Sequence, residues 1–390
     1  MSPTEPVRAP RAEIEVDLAA VRANVASLVS RVAPAEVMAV VKADGYGHGM
    51  VECASAARAG GANWLGCAVI EEALALRAAG DTGRILVWLA VPGEGYAEAV
   101  AADVDVTAYS VAEVHEIAEA AATTGRVARL QLKVDTGLGR GGATEADWPE
   151  VVAAARAAEE TGRVRVTGIW SHFACSDVPD DPANDAQEQA FRAALEVARE
   201  AGLDPELRHL ANSAAALTRP SSHFDLVRCG LAVYGLSPVP QLSTPAELGL
   251  VPAMTVRAGL AVVKTVPAGT GVSYGHTYRT STETTLGVVP VGYGDGVLRS
   301  ASSSAEVLAA GRRRRIAGRV CMDQFVVDLD GDRAAPGDQV VLFGPGSDGE
   351  PTAEDWAGAS GTISYEIVTR IGGRFVRRHR WGTAEPVASR

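Results

Sequence analysis

Val37-Met38-Ala39-Val40-Val41-Lys42-Ala43-Asp44-Gly45-Tyr46-Gly47-His48-Gly49 is the stretch on which the fold reading turns. Five consecutive apolar residues suit a strand buried on both faces, as in a parallel sheet covered by helices. A single cation follows at the carboxyl end, then a glycine-rich turn, then a helical pattern over Val51–Ala59. The same unit recurs outward along the chain. Further strands are expected at Trp64–Val69, Ile85–Leu89, Val104–Tyr109, Val127–Val134, Val164–Trp170, Leu207–Leu210 and Asp225–Arg228. Helical patterns at Glu71–Ala79, Val111–Ala122, Trp148–Glu160 and Asn184–Glu200 separate several of them. Eight strands so spaced predict an α/β fold, a TIM-like (β/α)8 barrel, with a doubly wound open sheet as the alternative that strand count alone leaves open.

Beyond Pro238 the texture changes. The Pro- and Ser-bearing segment Leu236–Leu248 reads as a linker, and β-like runs follow at Met254–Val266, Thr284–Val291, Ala305–Leu308, Arg315–Leu329 and Gln339–Phe343, with little helix between. We therefore expect a tail at 1–11, a barrel domain at 12–240 and a mostly-β domain at 241–390. Glu13–Val16 is positioned to lend the second domain an extra strand.

The 390 residues are 47% hydrophobic, enough for a sizeable core, and 36 basic against 48 acidic residues leave a net charge of −12. That balance argues against a nucleic-acid or anionic-membrane binder. Five scattered cysteines without a CxxC pair suit reduced thiols, not a disulfide framework or a metal site. The first residues lack a signal-peptide core and no apolar run reaches membrane-spanning length, so a soluble, cytoplasmic protein is expected. Of the basic residues only Lys42, Lys133 and Lys264 are lysine. Lysine can lose its proton when desolvated and can form a Schiff base, which arginine cannot.

At the carboxyl end of a first barrel strand, Lys42 would lie where barrel active sites lie, with its pKa lowered by desolvation. A salt-bridged lysine beside a flexible turn reads equally well from these residues alone. The motif KADGYGHG (Lys42–Gly49) resembles the cofactor-lysine motif of the alanine racemase family. The resemblance continues in order through LKVDTGLGR (Leu132–Arg140), SHFACSD (Ser171–Asp177), HLANSAA (His209–Ala215), VRCGLAVYGL (Val227–Leu236), SYGHTY (Ser273–Tyr278), VGYGDG (Val291–Gly296), GRVCMDQ (Gly318–Gln324) and SYEI (Ser364–Ile367).

The resemblance implies a pyridoxal 5'-phosphate enzyme that interconverts L- and D-alanine by two bases, supplying D-alanine for peptidoglycan. Lys42 would hold the cofactor and serve the D-enantiomer; Tyr274, from the partner subunit of a homodimer, would serve the L-enantiomer. A free phenol ionises near pH ~10, so such a base needs supporting groups; His172, Arg228 and His209 are implied behind it. Arg228 would face the pyridine nitrogen, although an ion pair with Asp225 is the plainer reading. Tyr46, Ser213, Tyr365 and the amides of Gly230 and Leu231 would surround the phosphate, where Ser213 alone reads as a helix cap. Arg140 and the Met322 amide would hold the substrate carboxylate. Lys133, which would otherwise pair with Asp135, is often carbamylated in the family. Tyr293 and Tyr365 would gate a substrate corridor, with Arg299, Arg319 and Asp177 further out, while Lys264 reads as a surface strand residue.

Two motifs are set aside. Gly137–Gly142 fits GxGxxG but no acidic residue ends the following strand, and Arg312–Arg315 reads as a solvated hairpin. The enzyme alternative is a serine or broad-specificity racemase. The non-catalytic alternative is a single-barrel pyridoxal-phosphate carrier, which lacks the domain holding Tyr274 and Met322.

Overall fold

The strand β1 (Ala12–Asp17) comes first in the chain but pairs far from its neighbours in sequence. The computed structural model describes residues 10–382, so the expected tail at 1–11 lies mostly outside the described residues. Contacts divide the chain into two units: Val21–Gly45 with Met50–Leu250, and the residues up to Ala20 with Tyr46–Gly49 and the chain from Val251.

The larger unit is a barrel of parallel strands. β2 (Glu36–Val40), β3 (Trp64–Cys67), β4 (Arg84–Val87), β5 (Asp105–Ala108), β6 (Ala128–Lys133), β7 (Val164–Trp170) and β8 (Leu207–His209) pair in sequence order, and β9 (Leu226–Cys229) pairs with β2. No ladder joins β8 to β9. Two backbone hydrogen bonds span that seam instead, Asp225 N to Arg208 O at 3.0 Å and Arg228 N to Ala211 O at 2.9 Å. The strands are buried almost throughout, as residues covered on both faces must be.

Helix boundaries follow local chemistry. Ser110 Oγ accepts from Glu113 N at 3.3 Å to open Val111–Thr124, and Gly125 closes it in a left-handed conformation. Asp181 caps Pro182–Glu200, with proline at the first helical position, where its missing N–H costs nothing. The segment read as a linker is not loose: Leu236–Val239 is buried, and Ser237 Oγ donates to Ser243 O at 2.7 Å.

The second unit is mostly β. β10 (Met254–Gly259), β11 (Val262–Val266), β12 (Gly271–Val272), β13 (Tyr278–Arg279), β14 (Thr284–Val289), β15 (Glu306–Ala309), β16 (Arg312–Arg315), β17 (Phe325–Asp328), β18 (Gln339–Phe343) and β19 (Val376–Arg380) form sheets ordered β16-β15-β18-β10-β1-β19, β11-β14-β17 and β12-β13. β1 lies antiparallel to β10 and parallel to β19. Its alternation turns Ala12, Ile14 and Val16 inward and leaves Glu13 and Glu15 to pair with Arg257, Arg378 and Arg380.

Several expectations change here. Met254–Val266 is two strands in different sheets, and Arg315–Leu329 is interrupted by a loop. The unit also carries helices at Ala353–Ser360 and Ser364–Arg370. The first starts at a capping box in which Thr352 and Asp355 exchange side-chain-to-backbone bonds. The basic run is only partly solvated: Arg314 turns inward to Asp332, and Arg313 reaches Asp355. Lys264 is exposed on β11. Among the described residues, no helix is long and apolar enough to cross a membrane.

Candidate active site

β2 delivers Lys42 to the barrel mouth, and the backbone then does something unusual. Ala43, Asp44, Gly45, Tyr46 and Gly47 all have positive φ, from 52° to 80°. Left-handed conformation costs an L-residue about 1–2 kcal/mol, so a run of it has to be held from outside. Within the barrel unit Glu72 does much of the holding. Its Oε1 accepts from Ala43 N at 2.7 Å and its Oε2 from Ala68 N at 2.8 Å. Asp44 Oδ1 accepts from Met50 N at 2.9 Å on the far side of the turn.

The mouth is rich in cations and aromatic faces. Lys42 Nζ lies 5.7 Å from the Trp88 ring centroid, and Lys133 Nζ lies 4.5 Å from Trp170 and 5.4 Å from Tyr109. Among the described residues neither lysine has a carboxylate within salt-bridge reach. Burial lowers the Lys42 pKa, and the charge of Arg140 lowers it further. Lys133 is pushed down to about 8, first by burial and then by Arg228 and Arg140. The expected partner Asp135 is occupied elsewhere: its Oδ1 accepts from the amides of Gly137, Leu138 and Gly139. Arg140 itself is exposed.

Arg228 is 5% exposed and does not pair with Asp225, whose carboxylate binds Arg208, Nε to Oδ2 at 2.6 Å. Arg228 lies on β9, whereas Asp225 just precedes that strand and is held by Arg208. Arg228 instead donates to neutral acceptors: His209 Nδ1 at 3.1 Å, His172 Nδ1 at 3.2 Å, Ser171 O at 2.7 Å and Leu210 O at 3.0 Å. Burial lowers its pKa to about 9, so it stays protonated near neutrality. Burial and the Arg228 charge hold both histidines well below their ordinary value, hence neutral. His209 stacks on Trp170 at 5.6 Å, and Arg228 lies over the same indole at 4.8 Å.

Ser213 does not cap its helix. Asn212 does, with Oδ1 accepting from Ala215 N at 3.1 Å. Ser213 Oγ instead accepts from Gly230 N at 2.9 Å, so the Gly230 amide is already engaged, and Leu231 follows it, buried.

In the second unit three loops bring another set together. Ser273, Gly275 and His276, all at positive φ, frame Tyr274, while Ser273 Oγ donates to Arg319 O at 2.6 Å and meets Cys321 Sγ at 3.3 Å. Tyr293 N donates to Cys321 O at 3.0 Å and Gly294 N to Met322 O at 2.9 Å. A Cβ on Gly292 would stand 2.2 Å from Cys321 O, so only glycine allows this approach. Asp295, fully buried, fastens the turn by accepting from Gly292 N at 3.0 Å and Arg374 Nε at 2.7 Å. Tyr274 is 70% exposed, Met322 55% and Tyr293 42%. Tyr46 and Tyr365 lie with ring centroids 6.2 Å apart, and Arg299, Arg319 and, in the barrel unit, Asp177 are exposed.

Sequence reasoning missed Trp88, Trp170, Tyr109 and Glu72. Trp170 ends the Val164–Trp170 strand, and that position at a barrel mouth was the available signal.

The similarities of the whole chain agree with this geometry. Residues 16–238 match the family model for the alanine racemase N-terminal domain, and 253–379 match the C-terminal domain. The chain is 60% identical over 364 residues to the alanine racemase of Frankia casuarinae, covering 93% of this chain and 95% of that one. It is 58% identical over 372 residues to that of Streptomyces coelicolor, covering 94% and 95%. The crystal structure of the alanine racemase from D-cycloserine-producing Streptomyces lavendulae superposes with a TM-score of 0.95 at 58% identity, covering 96% of this chain and 98% of that one. The two family models together match most of the chain, and relatives about 60% identical cover nearly all of it: the chain belongs to the alanine racemase family.

Proposed function

We propose that the chain interconverts L- and D-alanine with pyridoxal 5'-phosphate bound at the barrel mouth, supplying D-alanine for peptidoglycan. The observation that carries this is the group Lys42, Lys133 and Arg228, desolvated cations with no carboxylate within salt-bridge reach among the described residues. Such a mouth suits an anionic cofactor with an aldehyde that a lysine can condense with. The buried indole N–H of Trp170, which has no acceptor among the described residues, is a further donor in this group. Bound there, pyridoxal phosphate supplies the electron sink that acidifies an amino-acid α-proton.

Lys42 Nζ holds the cofactor and exchanges the proton on the D face, helped by its lowered pKa. Tyr274 Oη of the partner subunit exchanges it on the L face of a homodimer, a role that its exposure permits. Arg228 can only donate, so it offers N–H to the pyridine nitrogen and keeps a proton off it. His172 and His209, neutral and bonded to Arg228, orient that guanidinium. Tyr46, Ser213, Tyr365 and the amides of Gly230 and Leu231 hold the phosphate, Leu231 supplying the amide that Ser213 does not already take. Arg140 and the Met322 amide bind the substrate carboxylate, and Tyr293 and Tyr365 narrow the approach. Lys133 carries a carbamate, for which a pKa of about 8 leaves a reactive amine fraction; an intact mass lacking the added carbon dioxide in bicarbonate buffer would remove that part of the reading. The reduced cysteines suit the cytoplasm.

The test follows loss of optical rotation with L-alanine and a panel of other L-amino acids, with cofactor absorbance as control. Alanine is expected to turn over fastest; an absence of alanine turnover overturns the reading. One methylene in a pocket is worth about 1–3 kcal/mol, so serine is the informative competitor.

A further inference from the structure

Donors and acceptors beneath Arg228 form a directed chain through the barrel interior. Asp105 is fully buried at the start of β5. Its Oδ2 accepts from Arg84 Nη2 at 2.9 Å, Thr167 Oγ1 at 2.8 Å and Gln131 Nε2 at 3.3 Å. Its Oδ1 accepts from Arg129 Nε at 2.6 Å. A carboxylate only accepts, so the Gln131 amide has to present its NH2 to Asp105 and its Oε1 to the other side. There Oε1 meets His209 Nε2 at 2.8 Å. That nitrogen must then carry the imidazole proton, which leaves a lone pair on Nδ1, the atom that faces Arg228 Nη1.

The backbone makes room for this arrangement. The β6–β7 register shifts between Leu130 and Gln131, setting Gln131 opposite Gly168. A Cβ on Gly168 would stand 2.9 Å from Gln131 Oε1. Barrel interiors are ordinarily filled by branched apolar side chains. Here one strand gives up its side chain to seat a polar one.

We propose that Asp105, acting through Gln131, is a positioning residue of the racemase: it fixes the Nε2–H tautomer of His209 and so keeps an acceptor in front of Arg228. Were Gln131 turned over, its NH2 would face His209 Nε2, the proton would move to Nδ1, and N–H would oppose N–H at Arg228. The role of Arg228 toward the cofactor rests on the proposed function; the tautomer does not, and is read separately.

The experiment uses ring-15N-histidine protein, with and without pyridoxal phosphate, and His209→Asn to assign the signal. The full-length native chain is expected to show the Nε2–H tautomer at His209. Asp105→Asn lets the amide chain reverse, so the Nδ1–H tautomer should appear and kcat for L-alanine fall about 5–100-fold with KM little changed. Gln131→Met removes the acceptor and should do the same, whereas Thr167→Val removes a different donor from Asp105, leaves Gln131 in place and should keep the tautomer and most of kcat. Neither glutamine nor methionine carries a charge, so Gln131→Met decides should Asp105→Asn fail to fold. An unchanged tautomer in Gln131→Met, or a changed tautomer with unchanged kcat, overturns the inference. Failure of the unsubstituted enzyme to racemise alanine would instead overturn the proposed function, while the tautomer measurement on cofactor-free protein would stand.

Discussion

The barrel mouth and the loop cluster of the second unit present reactive groups in opposite ways. In the barrel Lys133, His209 and Arg228 are buried at strand ends; burial lowers the proton affinity of all three, and the Arg228 charge lowers those of Lys133 and His209 further. In the second unit Tyr274, Met322 and Tyr293 stand on loops, exposed, with their order coming from backbone bonds and a buried Asp295. Burial tunes a group; exposure lets it meet something that arrives later. Both regions nevertheless place their key side chain beside left-handed backbone, at 43–47 and around Tyr274. Strain of this kind persists only when neighbours over-determine it.

Substitutions can break that contrast. The largest effect is expected at Lys42: Lys42→Ala should lower racemisation by at least about 10³-fold and abolish the absorbance of covalently held cofactor, with thermal unfolding of the protein little changed. Retained turnover would mean that the buried half does not hold the cofactor. Tyr274→Phe should keep that absorbance yet lower solvent exchange of the L-alanine α-proton by about 10²–10⁴-fold. Undiminished exchange would strip the exposed half of its base.

Lys133 sharpens the contrast through stability. Its folded pKa, about 8, lies below the value of about 10.4 for an unfolded chain. The unfolded state therefore binds more protons between those values, and burying the ammonium costs stability below about pH 8. Lys133→Met should raise the denaturation midpoint of carbon-dioxide-free apoprotein at pH 7 by the equivalent of about 3 kcal/mol, and the advantage should fade as pH rises from about 8 to about 10.4. A gain independent of pH would refute it.

The smallest effects concern the two loops. Glu72→Gln leaves one oxygen to serve both Ala43 N of the Lys42 turn and Ala68 N, and should weaken cofactor affinity about 5–30-fold. Ser273→Ala loosens the Tyr274 turn and should lower L-alanine exchange by a similar or smaller factor, leaving cofactor affinity unchanged. If both variants moved the same observable, the division of labour would be wrong.

Much of this was legible from the chain. An apolar run ending in one of three lysines marks a strand end with chemistry, and the strand Val164–Trp170 was readable to the residue because it is long and β-branched. What periodicity could not read is direction and reach. It does not say that Asp225 turns away from Arg228, or that Asp135 folds back onto its own amides. Glu72 acts on a backbone amide 29 residues away, and such a bond leaves no side-chain pattern. The helices Ala353–Ser360 and Ser364–Arg370 are too short for a convincing helical period. Serine and asparagine compete for the cap of the helix at Ser213–Thr218, and the structure gives it to Asn212.

The place of β1 between β10 and β19 has a consequence for the order of synthesis. The ribosome makes this strand before any of the barrel, yet its partners Arg257 and Val376 emerge only after the barrel and at the far end of the chain. At about 5–20 residues per second the strand waits roughly tens of seconds with both edges unpaired. Glu13 and Glu15, charged on its outward face, are the kind of residue that keeps such an edge from pairing wrongly. Nascent chains stalled after Leu250 should thus be cut by protease near β1 while the barrel resists, and protection of β1 at that stage would show that it finds a temporary partner.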